Sequence, residues 1–201
     1  VQKIPGFTDG WVSVQDAGSQ LVADFIHPTP NSKVLDTCAA PGGKTAQLLE
    51  MFDVDVTSVE IDPSRAEKIH ETLERLGLHA TVKVGDASDL TFLKSLGNFD
   101  VIVLDAPCTA SGIVRRHPDI PWTRRPEGKD LLYIVCSIFP EEGPWQIQSF
   151  LKQHHDAELK LLPFGKDGML RLVPTENETI AGLPQVHDGF FYALLHKKDG
   201  L

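Results

Sequence analysis

Apolar and polar positions change period along this chain in a regular way. Val14 to Ile26 carries apolar residues at 14, 17, 21, 22, 25 and 26, a helical spacing that Pro28 and Pro30 end. Lys33–Thr37 then predicts a strand and Gly43–Phe52 a helix. Asp55–Glu60 predicts a second strand, and Pro63–Leu76 a helix with Pro in its first turn and Gly77 at its end. Ala80–Val84, Phe99–Leu104 and Leu131–Val135 predict three more strands, Glu141–His154 a helix, and Phe190–His196 a closing strand. Residues 1–13, with Pro5, Gly6 and Gly10 beside Phe7, Trp11 and Val12, predict a turn and a short extended piece. Alternating strands and helices imply an α/β fold with a mostly parallel, doubly wound sheet, which takes its ligands at the carboxyl ends of its strands.

One connection breaks the pattern. Parallel neighbouring strands need a crossover of a dozen or more residues, usually a helix. From Asp105 to Leu131 the chain offers Pro107, Pro118, Pro121 and Pro126 and no helical period. The expectation is that a crossover helix has been left out near 123–129, with consecutive Cα atoms there well beyond the normal spacing of about 3.8 Å.

Composition narrows the class. A chain of 201 residues, 41% hydrophobic and 23% charged, is globular, and its longest apolar runs are far too short to span a membrane. Three cysteines, Cys38, Cys108 and Cys136, are an odd number without metal-ligand spacing, so thiols in a reducing, cytoplasmic compartment and no metal are expected. The histidines, including His154 and His155, show no ligand spacing either. A net charge of -9 argues against a broad nucleic-acid surface. Four arginines, Arg115, Arg116, Arg124 and Arg125, nevertheless fall in one short segment with a single acid, Asp119. A solvated loop and a local RNA contact both account for such a cluster.

The chemistry-bearing stretch is Cys38-Ala39-Ala40-Pro41-Gly42-Gly43-Lys44-Thr45, a small-residue turn between the first strand and its helix. It nearly matches a phosphate-binding loop, with Val101–Asp105 as a magnesium-binding strand end, so a P-loop NTPase is a rival. Two features count against it. Cys38 stands where glycine conformation is required, and Pro41 removes a backbone N–H from the loop. Glu60 ends the second strand, where an acid accepts hydrogen bonds from ribose hydroxyls. Asp86 and Asp105 end the next two. Singly each is as readily a solvated carboxylate; together they outline a pocket with ribose at Glu60, adenine between Ile61 and Ala87, its amino group near Asp86, and Asp105 at the reacting end. Cys108 and Cys136 follow the fourth and fifth strands, at one edge if those strands are neighbours. A lone buried cysteine is usually packing, whereas two at adjacent strand ends point to chemistry.

Four segments, Cys38–Thr45, Asp105-Ala-Pro-Cys-Thr-Ala-Ser-Gly112, Arg115-Arg-His-Pro-Asp119 and Cys136-Ser-Ile-Phe-Pro-Glu-Glu142, occur in one order. With Trp11–Gln20 and His187–Ala193 they resemble the motifs of the RNA 5-methylcytosine methyltransferases, the bacterial Sun/Fmu (RsmB-type) rRNA branch above all. The resemblance implies a Rossmann-like class I S-adenosylmethionine-dependent methyltransferase with an antiparallel C-terminal strand. Residues 1–30 would be a lead-in left from an RNA-recognition subdomain, and 31–201 the catalytic domain. It implies S-adenosyl-L-methionine as donor, S-adenosylhomocysteine as product, and a cytosine in RNA as acceptor, with 16S rRNA placed ahead of tRNA and a monomeric protein. The donor site would be Cys38, Ala39, Ala40, Pro41, Gly42, Gly43, Lys44, Glu60, Asp86 and Asp105. Cys136 matches the nucleophile, Cys108 the cysteine that helps release product, and Asp105 would contact the cytosine. Val135 departs from the pattern, which has Thr before the nucleophile. A module that keeps the fold but only binds RNA is the remaining alternative.

Overall fold

A computed structural model describes residues 1–106, 130–137, 139–165, 167–173 and 189–198. The first strand, β1 (Ser32–Thr37), is hydrogen-bonded on one side to β2 (Val54–Glu60) and on the other to β4 (Val101–Asp105), parallel to both. β3 (Thr81–Val84) extends the sheet beyond β2, and β5 (Asp130–Val135) lies parallel beside β4. β8 (Phe190–Lys197) runs antiparallel to β5. Two four-residue strands, β6 (Ala157–Lys160) and β7 (Met169–Leu172), share the far edge of β8 end to end, giving the order β3-β2-β1-β4-β5-β8-β6 with β7 on β8. The parallel sheet and the antiparallel final strand expected from the sequence are both present.

Register is fixed by backbone pairs outside the strands. The Asp100 N–H donates to the Lys33 carbonyl at 2.9 Å, and its carboxylate accepts from the Lys33 N–H at 2.8 Å, so β1 and β4 enter the sheet together. The Asn31 N–H donates to Asp53 O at 2.7 Å and does the same for β1 and β2. At the other border, Asp130 of β5 meets Lys160 of β6 at 2.9 Å and His196 of β8 at 2.7 Å.

Side chains alternate across the sheet, as strand geometry requires. Val34, Val56, Val103, Leu132 and Ile134 pack on one face against Leu48 of α3 (Gly43–Met51) and against Val22 and Phe25 of the N-terminal helices. Leu35, Ile102, Leu131 and Tyr133 pack on the other. There they meet Leu93 of α5 (Leu90–Ser95) and Ile147 and Phe150 of α6 (Pro144–Gln153). α4 (Pro63–Leu76) lays Ile69 and Leu73 against α3 and the edge of β3.

The helix predicted over Val14–Ile26 is two, α1 (Ala17–Gln20) and α2 (Val22–Phe25), joined at Leu21. The Asp16 carboxylate caps the start by accepting from the Gly18 N–H at 2.7 Å. The buried Tyr192 hydroxyl donates to the Gly18 carbonyl, and the Leu21 N–H takes the same oxygen at 3.2 Å in a tighter turn. The spacing is helical, but a core tyrosine interrupts the ladder. α5, β6 and β7 had not been expected, because four to six residues are too short to establish a period. The junction near 123–129 lies outside the described residues. β4 and β5 are parallel neighbours, so a crossover between them is required.

Leu132 is fully buried in β5 among side chains of both sheet and helices. Leu132→Ala should lower unfolding free energy by about 2–5 kcal/mol in urea titrations. A loss under about 1 kcal/mol would mean that this face of the sheet is not the core.

Candidate active site

The site begins where β1 stops. Cys38 takes a left-handed backbone conformation, with φ of 58°, and the Ala39 N–H then donates to the Val59 carbonyl of β2 at 3.0 Å. Cys38, poorly suited to a glycine conformation by its type, adopts one here nonetheless. A single left-handed residue costs only about 1–2 kcal/mol, and the β2 contact holds it in place. Pro41 still withdraws an N–H from the turn. Gly42 is required twice over: its φ is 98°, and a Cβ would lie 3.3 Å from the Ile69 backbone of α4. α3 starts at once, without a side-chain cap, and Lys44 and Thr45 occupy its first turn.

Beneath the turn is a buried polar chain. The Thr45 hydroxyl donates to Asp36 Oδ2 at 2.6 Å and lies 2.8 Å from the Ser58 hydroxyl. Asp36, Thr45 and Ser58 are all fully buried, and Asp36 Oδ1 has no hydrogen-bond partner among the described residues. Burial is the main cause that pushes the Asp36 carboxyl up to about 7, with Asp105 adding to it and Thr45 and Lys44 opposing it. Asp36 and Ser58 had been given no role from the sequence, and Thr45 only its place in the loop motif. The available signal was an acid directly after the apolar pair Val34-Leu35.

The strand ends supply the acids. Glu60 closes β2 and is nearly fully buried; Oε1 accepts from the Ile61 and Asp62 N–H groups at 3.1 and 3.3 Å, and Oε2 from the Ala40 N–H at 3.4 Å. Arg65, from the first turn of α4, comes within 3.4 Å of the same carboxylate. The Gly85 N–H donates to the Glu60 carbonyl at 3.0 Å, which aligns the end of β3, and Asp86 Oδ1 accepts from the Ser88 N–H at 2.7 Å. Asp105 ends β4 and is bound by Lys44 Nζ at 2.7 Å. Cys136 follows β5 and is exposed.

These groups face one pocket. Cys38, Ala40, Glu60, Asp86, Asp105 and Cys136 line it, with Ile61 and Ala87 among its apolar walls. Ala39 is buried behind the turn, while Pro41, Gly42 and Gly43 lie off the lining; Gly43 instead borders a second cleft with Trp11 and Gln47. Lys44 reaches the site through its ion pair with Asp105. Arg65 also lines the pocket and had been missed, since an arginine on a helix reads as surface. Cys108, Arg115, Arg116, Arg124 and Arg125 lie outside the described residues.

The electrostatics separate the rivals. Among the described residues, Glu60, Asp86 and Asp105 line the pocket, Arg65 is the cation on its wall and Lys44 is already paired. Such a site favours a cationic ligand and opposes a polyphosphate. The same field acts on Cys38. Burial first, then Glu60, Asp105 and Asp36, push Cys38 up to about 12, so it stays a neutral thiol. Among the described residues no group of three or more His, Cys, Asp or Glu side chains could hold a metal ion.

Fold and site together define a Rossmann-like methyltransferase domain with its pocket at the strand ends. The structure superposes on NSun6 from Pyrococcus horikoshii, solved with SFG, with a TM-score of 0.81 at 23% identity, over 100% of this chain and 56% of that one. A methyltransferase homolog protein, also from Pyrococcus horikoshii, gives 0.77 at 27% identity, over 98% of this chain and 72% of that one. The family model described as 16S rRNA methyltransferase RsmB/F matches residues 23–130 and 127–196. Ribosomal RNA small subunit methyltransferase B of Photorhabdus laumondii subsp. laumondii is 40% identical over 223 residues, covering 97% of this chain and 49% of that protein. The protein of the same description from Shigella sonnei is 41% identical over 221 residues, covering 98% and 50%. The chain belongs to the 16S rRNA methyltransferase RsmB/F family, and it spans about half the length of the curated relatives it matches.

The raised Asp36 carboxyl has a consequence for stability. Its folded pKa, about 7, lies above the unfolded value of 3.8, so folding holds the proton and stability falls as pH rises from about 4 to 7. Relative to Asp36→Asn, the wild-type protein should lose about 1.4 kcal/mol per pH unit across that window, measured by urea unfolding. Parallel pH profiles for the two proteins would show that Asp36 is not protonated in the fold.

Proposed function

We propose that this chain is the catalytic domain of an enzyme that methylates carbon 5 of a cytosine in RNA, small-subunit rRNA foremost, with S-adenosylmethionine as donor. The observation that carries the reading is that Cys136 and Asp105 line the same pocket as Glu60 and Asp86. A thiol and a carboxylate for the acceptor thus sit beside acids suited to a nucleoside donor. Membership of the 16S rRNA methyltransferase RsmB/F family supports rRNA as the substrate class.

The pocket's chemistry fits the donor. Glu60 and Asp86 are acceptors for ribose hydroxyls and a base amino group, and Ile61 and Ala87 offer apolar walls for a purine. When bound, S-adenosylmethionine supplies an electrophilic methyl group on a cationic sulfonium, a charge that this acidic pocket attracts. The loop from Cys38 to Lys44 would hold its methionine end. Being a neutral thiol, Cys38 does not compete as nucleophile.

Carbon 5 of cytosine is too weak a nucleophile to take a methyl group directly. Cys136 as thiolate adds to carbon 6, which breaks the 5,6 double bond and makes carbon 5 enamine-like and reactive toward the methyl group. The displaced electron pair reaches ring nitrogen 3, which takes up a proton equivalent to the one the Cys136 thiol has lost and gives it back after transfer. The Asp105 carboxylate accepts a hydrogen bond from that N–H and stabilises the adduct, and Lys44 holds the carboxylate at 2.7 Å and so fixes where it points. After transfer a base removes the carbon 5 proton, the double bond re-forms, and Cys136 leaves as thiolate. Cys108 assists this release. The arginines Arg115, Arg116, Arg124 and Arg125 take RNA phosphates. The protein acts as a cytoplasmic monomer. Among the described residues, no helix is long and apolar enough to cross a membrane.

The family's crossover between β4 and β5 is absent from this sequence on the same reading. Two observations support it. The family match divides at residues 127–130, within the connection. The alignment to the Photorhabdus protein runs to 223 residues on a chain of 201, so it holds positions for which this chain has no residue.

Cys136→Ala should abolish methyl incorporation into rRNA from a strain lacking the enzyme. Cys108→Ala should instead accumulate a covalent RNA–protein adduct, visible as a shifted band on a denaturing gel. Retained turnover in Cys136→Ala would refute the covalent assignment.

A further inference from the structure

The turn after Cys136 carries an aromatic side chain for which the fold has no use. Phe139 is 64% exposed, and Trp145 at the start of α6 is 56% exposed. Exposed apolar rings gain nothing from the hydrophobic effect, and a sheet this well filled does not need them. The backbone that presents Phe139 is closely held. Its N–H donates to Ser137 Oγ at 3.1 Å, and its carbonyl accepts from the Glu142 N–H at 3.2 Å. The Trp145 N–H closes the turn on the Pro140 carbonyl at 2.9 Å, and the Tyr133 hydroxyl of β5 donates to the Glu142 carbonyl at 2.7 Å. The ring therefore stands on a fixed platform that is anchored to the strand carrying Cys136.

Phe139 lies three positions after Cys136, which keeps their Cα atoms within about 11 Å of each other. Any RNA base whose carbon 6 reaches the Cys136 thiol has been turned out of its stack, and its neighbour has lost a stacking partner. An exposed ring at this distance can replace that partner. Charge separates bases from phosphates as the contact. Glu141 and Glu142 follow Phe139 in the same turn and repel the RNA backbone, whereas the face of a base carries no charge.

We propose that Phe139 is a stacking platform for the nucleotide next to the reacting cytosine. This rests on the assignment of Cys136 as nucleophile at a cytosine. It assigns RNA positioning to a residue outside the donor pocket and predicts that the enzyme senses the identity of a flanking base through stacking strength, purine over pyrimidine.

The test uses the full chain and an rRNA hairpin that contains the methylated cytosine, with 2-aminopurine on its 5′ side in one probe and on its 3′ side in another. Wild-type protein should quench one of the two probes. Phe139→Ala should abolish that quenching and raise KM for the hairpin by about tenfold, and leave the dissociation constant for S-adenosylmethionine unchanged. Phe139→Trp should restore both quenching and KM. Quenching and KM left at wild-type values in Phe139→Ala would overturn the proposal. So would a loss confined to kcat or melting temperature, which marks a structural role, and so would failure of wild-type protein to quench either probe, which points to a protein partner for this turn. Cys136→Ala run beside these variants keeps the two readings apart. If it retains methylation the covalent assignment has failed, whatever Phe139 does.

Discussion

The structure depends on one constraint, the placing of β1 between two parallel neighbours whose ends are kept level. Parallel strands run the same way, so side chains one residue past each strand gather at one edge. The paired contacts of Lys33 with Asp100 and of Asn31 with Asp53 fix the level at the opposite end. A slip of one residue would turn Asp36 out of its contact with Thr45 and exchange the two faces of the strand. Cys38, Glu60, Asp105 and Cys136 come from four different strands and share a pocket because that register holds.

Within the edge, charge is distributed unevenly. Lys44 is spent on Asp105, and Arg65 lies against Glu60 and the Ala40 carbonyl, so the cations order the acids without neutralising the pocket. The near-match to a phosphate loop is therefore one of sequence, while the field of the described residues has the opposite preference. Lys44 shows this most directly. In a phosphate loop its ammonium would face the ligand; here it faces a carboxylate, and the carboxylate faces the ligand.

Much of this was legible in the sequence. The five parallel strands and the closing strand stand out because each is a short apolar run or an apolar–polar alternation bounded by Gly, Pro or an acid. The strand-end acids were legible because the α/β topology says where such residues must go. What stayed hidden depended on contacts distant in sequence. The split at Leu21 requires the Tyr192 hydroxyl, 171 positions away along the chain. The conformation of Cys38 requires the Val59 carbonyl, and the role of Asp36 requires Thr45 and Ser58 to be brought over it. β6 and β7 are strands because β8 has a free edge to offer them, not because four residues specify a strand.

The central claim is that an acid-lined edge, whose turn nearly matches a phosphate loop in sequence, selects a sulfonium donor. Calorimetric titration of the protein with S-adenosylmethionine and, separately, with magnesium ATP tests it most directly. Saturable one-to-one binding of S-adenosylmethionine with no heat from magnesium ATP is the predicted result. Binding of magnesium ATP that is lost in Lys44→Ala, with none of S-adenosylmethionine, would contradict it.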